Sequence, residues 1–435
     1  MLLLDLQVAA RSLAQHSKRS LFLGAAVAAV TAALVLLGGL FGGIRAAMLE
    51  SGTMLSTGHV NVGGFFKPTS GSSAPLVTGW RKVLEDTKRI VPELQDYTVR
   101  TRRFARAISE ASSMQLALAG IDVAREPRLE ESLQLAAGSL DALTEPNTIL
   151  IFEDQARRLE VGIGDVLTLA APTDRGANNT ADVRVVAIAK SVGILSAMTA
   201  FMPDAGVRKL YQLAPDTTGV IHLFLANERL AGPVAERLRK GLAAAGYRVM
   251  DPDPQPYWMK LFAKVNAEDW TGQKLDVTIW EDELAFLAWV LKALGGLGGA
   301  LLLVLVGIVV IGILNTLAIA IRERTREIGT LRAIGMQRRK VLWLFLLEMT
   351  LLGLLGSTAG ALAAASISGA VNAARIPVPE AALLFIMQDR WRILVTPGAL
   401  LSSAAFITAV TALAALYPAF QASRLAPITA IHHVG

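Results

Sequence analysis

The sequence predicts a membrane α-helical fold of four transmembrane helices, with a large α+β extracytoplasmic domain inserted between helices 1 and 2. Three observations lead there. Four long apolar stretches are each of a length to cross a bilayer. A block of roughly 240 residues of mixed polarity separates the first stretch from the second. Lys and Arg gather in short segments beside the stretches, the pattern that marks the cytosolic side. The composition agrees: 53% apolar, 18% charged and a mean hydropathy of +0.47.

The second stretch is the most informative. From Ala293 to Ile321 there are 29 consecutive uncharged residues. As a helix this run would be roughly 43 Å long, more than the ~30 Å hydrocarbon core of a bilayer. It continues into residues 322–340, which carry seven Lys/Arg and two Glu, and a further apolar helix starts at Val341. Such a short basic connection faces the cytosol. The three segments assigned to the cytosol hold eleven Lys/Arg against three Asp/Glu. The net charge of +6 is therefore a topology signal, and no basic face remains for a nucleic acid. The absence of cysteine excludes disulfides, thiol catalysis and Cys-ligated metal.

In chain order, residues 1–20 form a short cytosolic amphipathic helix with Leu2, Leu3, Leu6, Ala10 and Leu13 at helical spacing. The first span is 21–44, too long an apolar run for a typical signal peptide, and is expected as an uncleaved anchor. Gly38, Gly39, Gly42 and Gly43 make two overlapping GxxxG pairs, which either admit a neighbouring helix or reflect the frequency of glycine in such helices. Residues 45–284 are the extracytoplasmic domain, read as two lobes. Strand–helix–strand units at its two ends form one lobe, and 123–217 is an inserted, more β-rich lobe. Residues 285–321 are a stalk continuous with the second span. Then come the basic loop (322–340), the third span (341–371) with Gly356 and Gly360 on one side, an outer loop (372–395), the fourth span (396–420) and a cytosolic tail (421–435). Both termini are placed inside.

Catalytic motifs are absent from the sequence. There is no G-x-x-x-x-G-K-[ST], no G-x-S-x-G and no H-E-x-x-H. The five histidines fall on both sides of the membrane and form no metal site. No catalytic residue, metal or cofactor is expected in this chain. Glu348 is a charge inside the third span, where a carboxylate is costly unless paired. It is read either as a proton-relay residue or as a partner of Arg338, Arg339 or an adjacent helix.

The segment IRERTREIGTLRAIGMQRRKVLWLFLLEMTLLGLLGSTAGALAA resembles the FtsX-like permease module shared by the MacB, LolC/LolE and FtsX branches of the ABC transporter superfamily. The matching positions are Arg324, Arg326, Glu327, Ile328, Gly329, Leu331, Arg332, Ala333, Gly335, Glu348, Gly356 and Gly360. A second match closes the chain, at Tyr417-Pro418-Ala419, Ala422, Leu425, Pro427, Ile428 and Ala430. The resemblance implies a homodimer or heterodimer of permeases in a bacterial inner membrane, bound to a cytosolic ABC ATPase dimer that carries the ATP and Mg. It also implies a mechanotransmitter, in which ATPase closure pushes on the cytosolic loop. The residues themselves fit that role: Ile328, Leu331 and Ile334 repeat at i, i+3, i+6, an apolar stripe that topology alone does not require.

The branch is expected to be lipoprotein release. No ATPase precedes the first span, unlike MacB proper, and GHVNV after span one, with GDVLTL before a polar loop, looks closer to LolC/LolE. By that resemblance Pro172, Thr173, Asp174 and Arg175 would engage a periplasmic carrier or adaptor, and the substrate would be a lipoprotein or another amphiphile. MacB-like efflux of drugs or peptides, and FtsX-like regulation of a periplasmic hydrolase or sensor, are the alternatives.

Overall fold

A computed structural model describes residues 2–15, 17–69, 72–126, 129, 133–173, 177–191, 193–323, 325, 330, 332–379, 382 and 390–424. The chain divides into a helical unit (1–45, 292–377 and 390–435) and a sheet-containing unit (46–291 with 378–389).

The helical unit opens with α1 (Leu2–Gln15) and α2 (Ser17–Leu55). Its other helices are α8 (Ala285–Glu323), α9 (Arg338–Ala374) and α10 (Pro397–Ser423). Four of these, α2, α8, α9 and α10, are long and apolar enough to cross a membrane. The protein is thus a multi-pass membrane protein, with the 46–291 domain placed in sequence between the first and second such helices. Leu23 and Val27 of α2, Ile313 and Leu317 of α8, Phe345 and Met349 of α9, and Ile407 and Ala415 of α10 share one apolar core. Glycines let the backbones approach where the core is tightest. A Cβ on Gly356 would lie 2.9 Å from the Gly24 carbonyl oxygen, one on Gly360 would collide with the Ala28 backbone, and one on Gly353 would meet Thr411 at 2.9 Å.

On α2 the close approach is made by a different glycine pair than expected. Gly38 and Gly42 face open space, whereas Gly39 and Gly43 lie against Arg392–Val395. The partner is an extended segment rather than a helix. Leu394 donates its N–H to the Gly39 carbonyl at 2.9 Å, and Asn372 brackets Ile393 by accepting from its N–H (2.9 Å) and donating to its carbonyl (3.0 Å). The face of α1 also differs from the periodicity reading. Asp5 and Ala9 are buried while Leu6 and Ala10 are exposed, because Asp5 turns inward to pair with Lys340 at 3.1 Å.

The sheet-containing unit has two lobes that share a single strand. Its strands and helices are β1 (Val60–Thr69), β2 (Ser72–Ala74), β3 (Val77–Thr78), α3 (Trp80–Ile90), β4 (Leu94–Ile108), β5 (Ser113–Ile121), β6 (Leu135–Gly138), β7 (Thr148–Phe152), α4 (Glu153–Leu159), β8 (Val166–Pro172), β9 (Asn178–Ala189), α5 (Gly193–Met198), β10 (Thr199–Pro203), α6 (Asp204–Tyr211), β11 (Thr217–Thr218), β12 (Val220–Leu225), α7 (Ala231–Ala244) and β13 (Gly272–Ile279).

In the first lobe the order β13-β1-β12-β4 is antiparallel throughout, and α3 and α7 provide the crossovers. This is the β-α-β-β-α-β arrangement, with the second lobe inserted between β4 and β12. β4 is 15 residues long. Its first half pairs with β12 and its second half with β5 and β8. Pairing then runs β4-β5-β10-β7-β9-β8 and returns to β4, so the second lobe is a closed six-stranded ring. Closure removes the exposed strand edges that an open sheet would present. Its core includes Leu116, Leu118, Ile149, Ile151, Leu167, Leu169, Val183 and Val185, alternate residues of period-2 strands. The β-rich lobe therefore begins within β4, at Thr101, rather than at residue 123, because one strand serves both sheets.

A polar cluster joins β1 to β12. Asn61 Oδ1 accepts the Gly58 N–H at 2.7 Å and lies 2.7 Å from His222 Nδ1, which places the imidazole proton on Nδ1. Burial holds the His222 pKa well below its usual 6.5, and the positive charges of Arg100 and Arg102 lower it further.

Two expectations follow. An unfolded chain protonates His222 near pH 6.5 while the folded chain resists, so the unfolded state binds more protons and stability falls as pH drops below that value. Thermal unfolding of the purified protein from pH 7 to 5 checks this. His222→Gln flattens the pH slope between 6.5 and 5, and an unchanged slope would refute the assignment. In the helical unit, Gly360→Leu forces α9 away from α2 and costs about 1–3 kcal/mol by overpacking. Gly299→Leu, on an open face of α8, serves as the control in the same melting assay and leaves stability unchanged.

Candidate functional site

Two places in the molecule carry features beyond what folding requires. The first is the basic segment that follows α8. Of the residues singled out there, Arg324, Arg326, Glu327, Ile328, Gly329 and Leu331 lie outside the described residues. Arg332 and Ala333 are helical, and Arg332 Nη1 donates to the Ser423 carbonyl at 2.9 Å, holding the segment against the end of α10. Gly335 adopts φ +103°, a conformation that suits glycine and ends the helix before α9 begins. Ile334 is 80% exposed, an isobutyl-sized apolar surface beside a cluster of cations. Within the third span, Glu348 sits half-buried on α9.

The hairpin read as an outer partner loop exists as β8 and β9. Pro172 pairs with Asn178, and Thr173 donates its N–H to the Ala177 carbonyl at 2.8 Å. Thr173 is buried, and Asp174 and Arg175 lie outside the described residues. The closing motif is split likewise. Tyr417, Pro418, Ala419 and Ala422 belong to α10, with Pro418, Ala419 and Ala422 buried, and Leu425, Pro427, Ile428 and Ala430 fall outside the described residues.

The second place was not singled out by sequence. It is a cavity of about 480 Å³ inside the sheet-containing unit. Its walls come from β4, β5, α5, the 256–259 turn, and the residues where the chain enters and leaves this unit, Leu55–Ser56 and Glu283–Leu287. Two arginines of β4, Arg100 and Arg102, line it, and Arg103 leaves the opposite face of the strand. Arg100 is buried; its Nε donates to both oxygens of Glu126 (3.1 and 3.0 Å) and its Nη1 to the Leu55 carbonyl at 3.0 Å. Arg102 donates from Nη1 to Glu283 at 3.2 Å and stacks over Tyr257, 3.7 Å from the ring centroid. Arg103 packs over Tyr211. Glu283 also accepts the Thr278 hydroxyl at 2.9 Å.

Nearby, Lys260 reaches both oxygens of Asp276 at 2.9 and 3.0 Å. Burial raises the Asp276 pKa against the opposing pull of Lys260, and it also pushes the Tyr257 hydroxyl up to about 12, so that ring stays neutral. Removing one member of a buried pair such as Arg100–Glu126 leaves an uncompensated charge, a loss of about 3–5 kcal/mol. The sequence signal for this site was Arg100 and Arg102 at i, i+2 on a strand that also carries Gln95, Asp96, Arg103 and Arg106, a pattern equally common on solvated strands. Among the described residues, no cluster of His, Asp or Glu is placed to hold a metal ion.

Comparison with known proteins places the membrane part. Residues 299–427 match the FtsX-like permease C-terminal family. The macrolide export ATP-binding/permease protein MacB of Burkholderia lata is 30% identical over 233 residues, 52% of this chain and 29% of that protein. MacB of Syntrophobacter fumaroxidans is 34% identical over 123 residues, 28% of this chain and 15% of that protein. The ABC transporter permease YvrN of Bacillus subtilis is 32% identical over 122 residues, 28% of this chain and 26% of that protein. This chain thus spans less than a third of the length of each of these relatives. Among solved structures, the periplasmic region of MacB from Actinobacillus actinomycetemcomitans aligns at 14% identity and a TM-score of 0.28, over 46% of this chain and 88% of that one. The extracellular domain of the transporter YknZ aligns at 12% identity and a TM-score of 0.29, over 43% of this chain and 94% of that one. Residues 299–427 thus match the FtsX-like permease C-terminal domain, and the similarity to MacB-type permeases includes this segment.

Proposed function

We propose that this chain is the non-catalytic permease subunit of an ABC transporter and acts as a mechanotransmitter. One observation carries the reading. The helix α8 runs unbroken for 39 residues, from the turn after β13 to the basic segment, and most of it lies within the matched permease domain. At about 1.5 Å per residue such a rod is roughly 58 Å long, enough to cross a bilayer and project from it. A push on its basic end is delivered along its axis toward β13 and Glu283. The exposed Ile334 and the neighbouring cations supply a contact surface for a cytosolic ATPase dimer, which binds ATP and Mg. The apolar outer faces of α8, α9 and α10 leave room for lipid and for a second permease copy. The charge distribution supports both termini in the cytosol of a bacterial inner-membrane protein.

The substrate follows two readings. The relatives whose names specify macrolide export support MacB-like efflux of apolar small molecules or peptides. The GHVNV and GDVLTL segments favour release of lipoproteins to a periplasmic carrier, which the curated relatives do not share by name. Export of the MacB kind fits at least as well and is the simpler reading.

Co-expression with the ATPase encoded beside this chain tests the coupling. The ATPase co-elutes with the wild type, and the double variant Glu327→Ala/Arg332→Ala recovers about tenfold less, equivalent to ~1.4 kcal/mol of binding. No ATPase on the wild-type protein would sink the coupling reading. Drug susceptibility of a deletion strain, compared with retention of lipoproteins in its inner membrane, then separates the two substrates.

A further inference from the structure

The end of the helical unit opposite the basic 322–340 segment also gathers positive charge. α9 begins within that segment and ends at Ala374, where Arg375 closes the helix. Past the helix, Pro377 pairs with Arg390, and Trp391 donates its N–H to the Ile376 carbonyl at 3.0 Å. The two arms thus bring Arg375 and Arg392 to neighbouring places, and both are exposed. Among the described residues, neither guanidinium has a carboxylate partner. Like charges gathered in this way repel unless an anion joins them.

Their depth is fixed by α2. Leu394 donates to the Gly39 carbonyl, and a Cβ on Gly43 would collide with the Arg392 carbonyl. The uncharged run of α2 ends at Ile44 and is followed by Arg45, which is exposed. Two residues of helix, ~3 Å, separate Gly43 from Arg45, so Arg392 stands at the edge of the hydrocarbon layer. Trp391, half-buried beside it, suits the same layer, where indole rings collect. The 27-residue helix α10 also starts here, capped by Thr396, and adds the positive end of its dipole.

At this depth the abundant anion is the lipid phosphate. A zwitterionic headgroup carries a cation beside that phosphate, which the guanidiniums oppose, whereas an anionic headgroup carries none. A planar guanidinium also grips phosphate oxygens two at a time. We propose that Arg375 and Arg392, with Arg45 nearby, hold the phosphate of an anionic phospholipid in the leaflet opposite the basic segment. This anchoring is independent of any ATPase.

The chain has no cysteine, so Ile376→Cys, at a position 43% exposed beside Arg375, takes a single fluorophore. The labelled full chain is placed in phosphatidylcholine bilayers with doxyl-labelled phosphatidylglycerol or doxyl-labelled phosphatidylcholine as quencher. Relative quenching is expected to show about fivefold preference for phosphatidylglycerol. Arg375→Gln/Arg392→Gln removes the preference. Should that double variant melt below the labelled parent, Arg392→Gln alone replaces it and lowers the preference about twofold. Equal quenching by the two lipids in the parent, or a preference kept in a folded variant, overturns the proposal. A preference abolished by inorganic phosphate, but not by chloride at the same ionic strength, assigns the arginines to a free anion and overturns it as well.

Discussion

Two arginines on one strand hold both points at which the chain passes between its long helices and its sheets. Arg100 donates to the last carbonyl of α2, at Leu55, and Arg102 pairs with Glu283, just before α8. They are two residues apart on β4, so both side chains leave the same face of the strand. A guanidinium in that position needs a carboxylate beside it, because an unpaired buried charge would outweigh most of what a small domain gains from folding. The partners come from four separate stretches of chain: Leu55, Glu126, Tyr257 and Glu283. The charge requirement thus ties together the end of α2, the inserted lobe, the 256–259 turn and the start of α8. An apolar contact could slide; a planar fork with fixed donor directions cannot.

The strand that carries them is also where the two lobes meet. Residues 94–100 ladder to β12, and 101–108 ladder to β5 and β8. A continuous strand resists bending at its centre, since every ladder bond on both sides would have to lengthen. The ferredoxin-type lobe and the closed ring are therefore held in one register by backbone hydrogen bonds before any side chain contributes. Tyr211 strengthens the junction by donating its hydroxyl to the Phe104 carbonyl at 2.6 Å, and Asn61, Gly58 and His222 fasten β1 to β12 on the other side. With burial keeping His222 neutral, that fastening adds no further positive charge beside Arg100 and Arg102.

What was legible in the sequence follows from the range of the interactions. The four long helices are written in local composition, since a run such as 293–321 has few other ways to satisfy its backbone in lipid. The strand–helix–strand units at the two ends of the sheet domain were legible from period-2 and period-3.6 patterns alone. The closed ring was not, because closure depends on β8 meeting both β9, its hairpin neighbour, and β4, some sixty residues earlier. Alternation along β8 reads the same in an open sheet. The glycines show the same limit. Spacing identified two interlocking pairs on α2, but the choice between Gly38/Gly42 and Gly39/Gly43 was made by an extended segment about 350 residues away. The cavity's apolar wall left no local trace, and the Arg100, Arg102 pair beside it reads like a solvated strand. Its walls are mostly ordinary apolar residues, and only their assembly beside the Arg102–Glu283 pair makes the space.

That assembly links two properties of the molecule. Leu284–Leu287 form part of the cavity wall, and Ala285–Leu287 begin α8. Wall and helix share these residues, and the Arg102–Glu283 pair lies just before the first turn of α8. A molecule seated in the cavity would contact both β4 and the first turn of α8. If it fits one position of that turn better than another, it shifts the balance toward that position by the difference in its affinities, and a force on the helix changes its affinity by the same factor. Such coupling needs no pathway of intermediate residues, because Ala285, Phe286 and Leu287 belong to both elements. Its size would be set by any displacement of the first turn relative to β4, which Arg100 ties to Glu126 and to the Leu55 carbonyl.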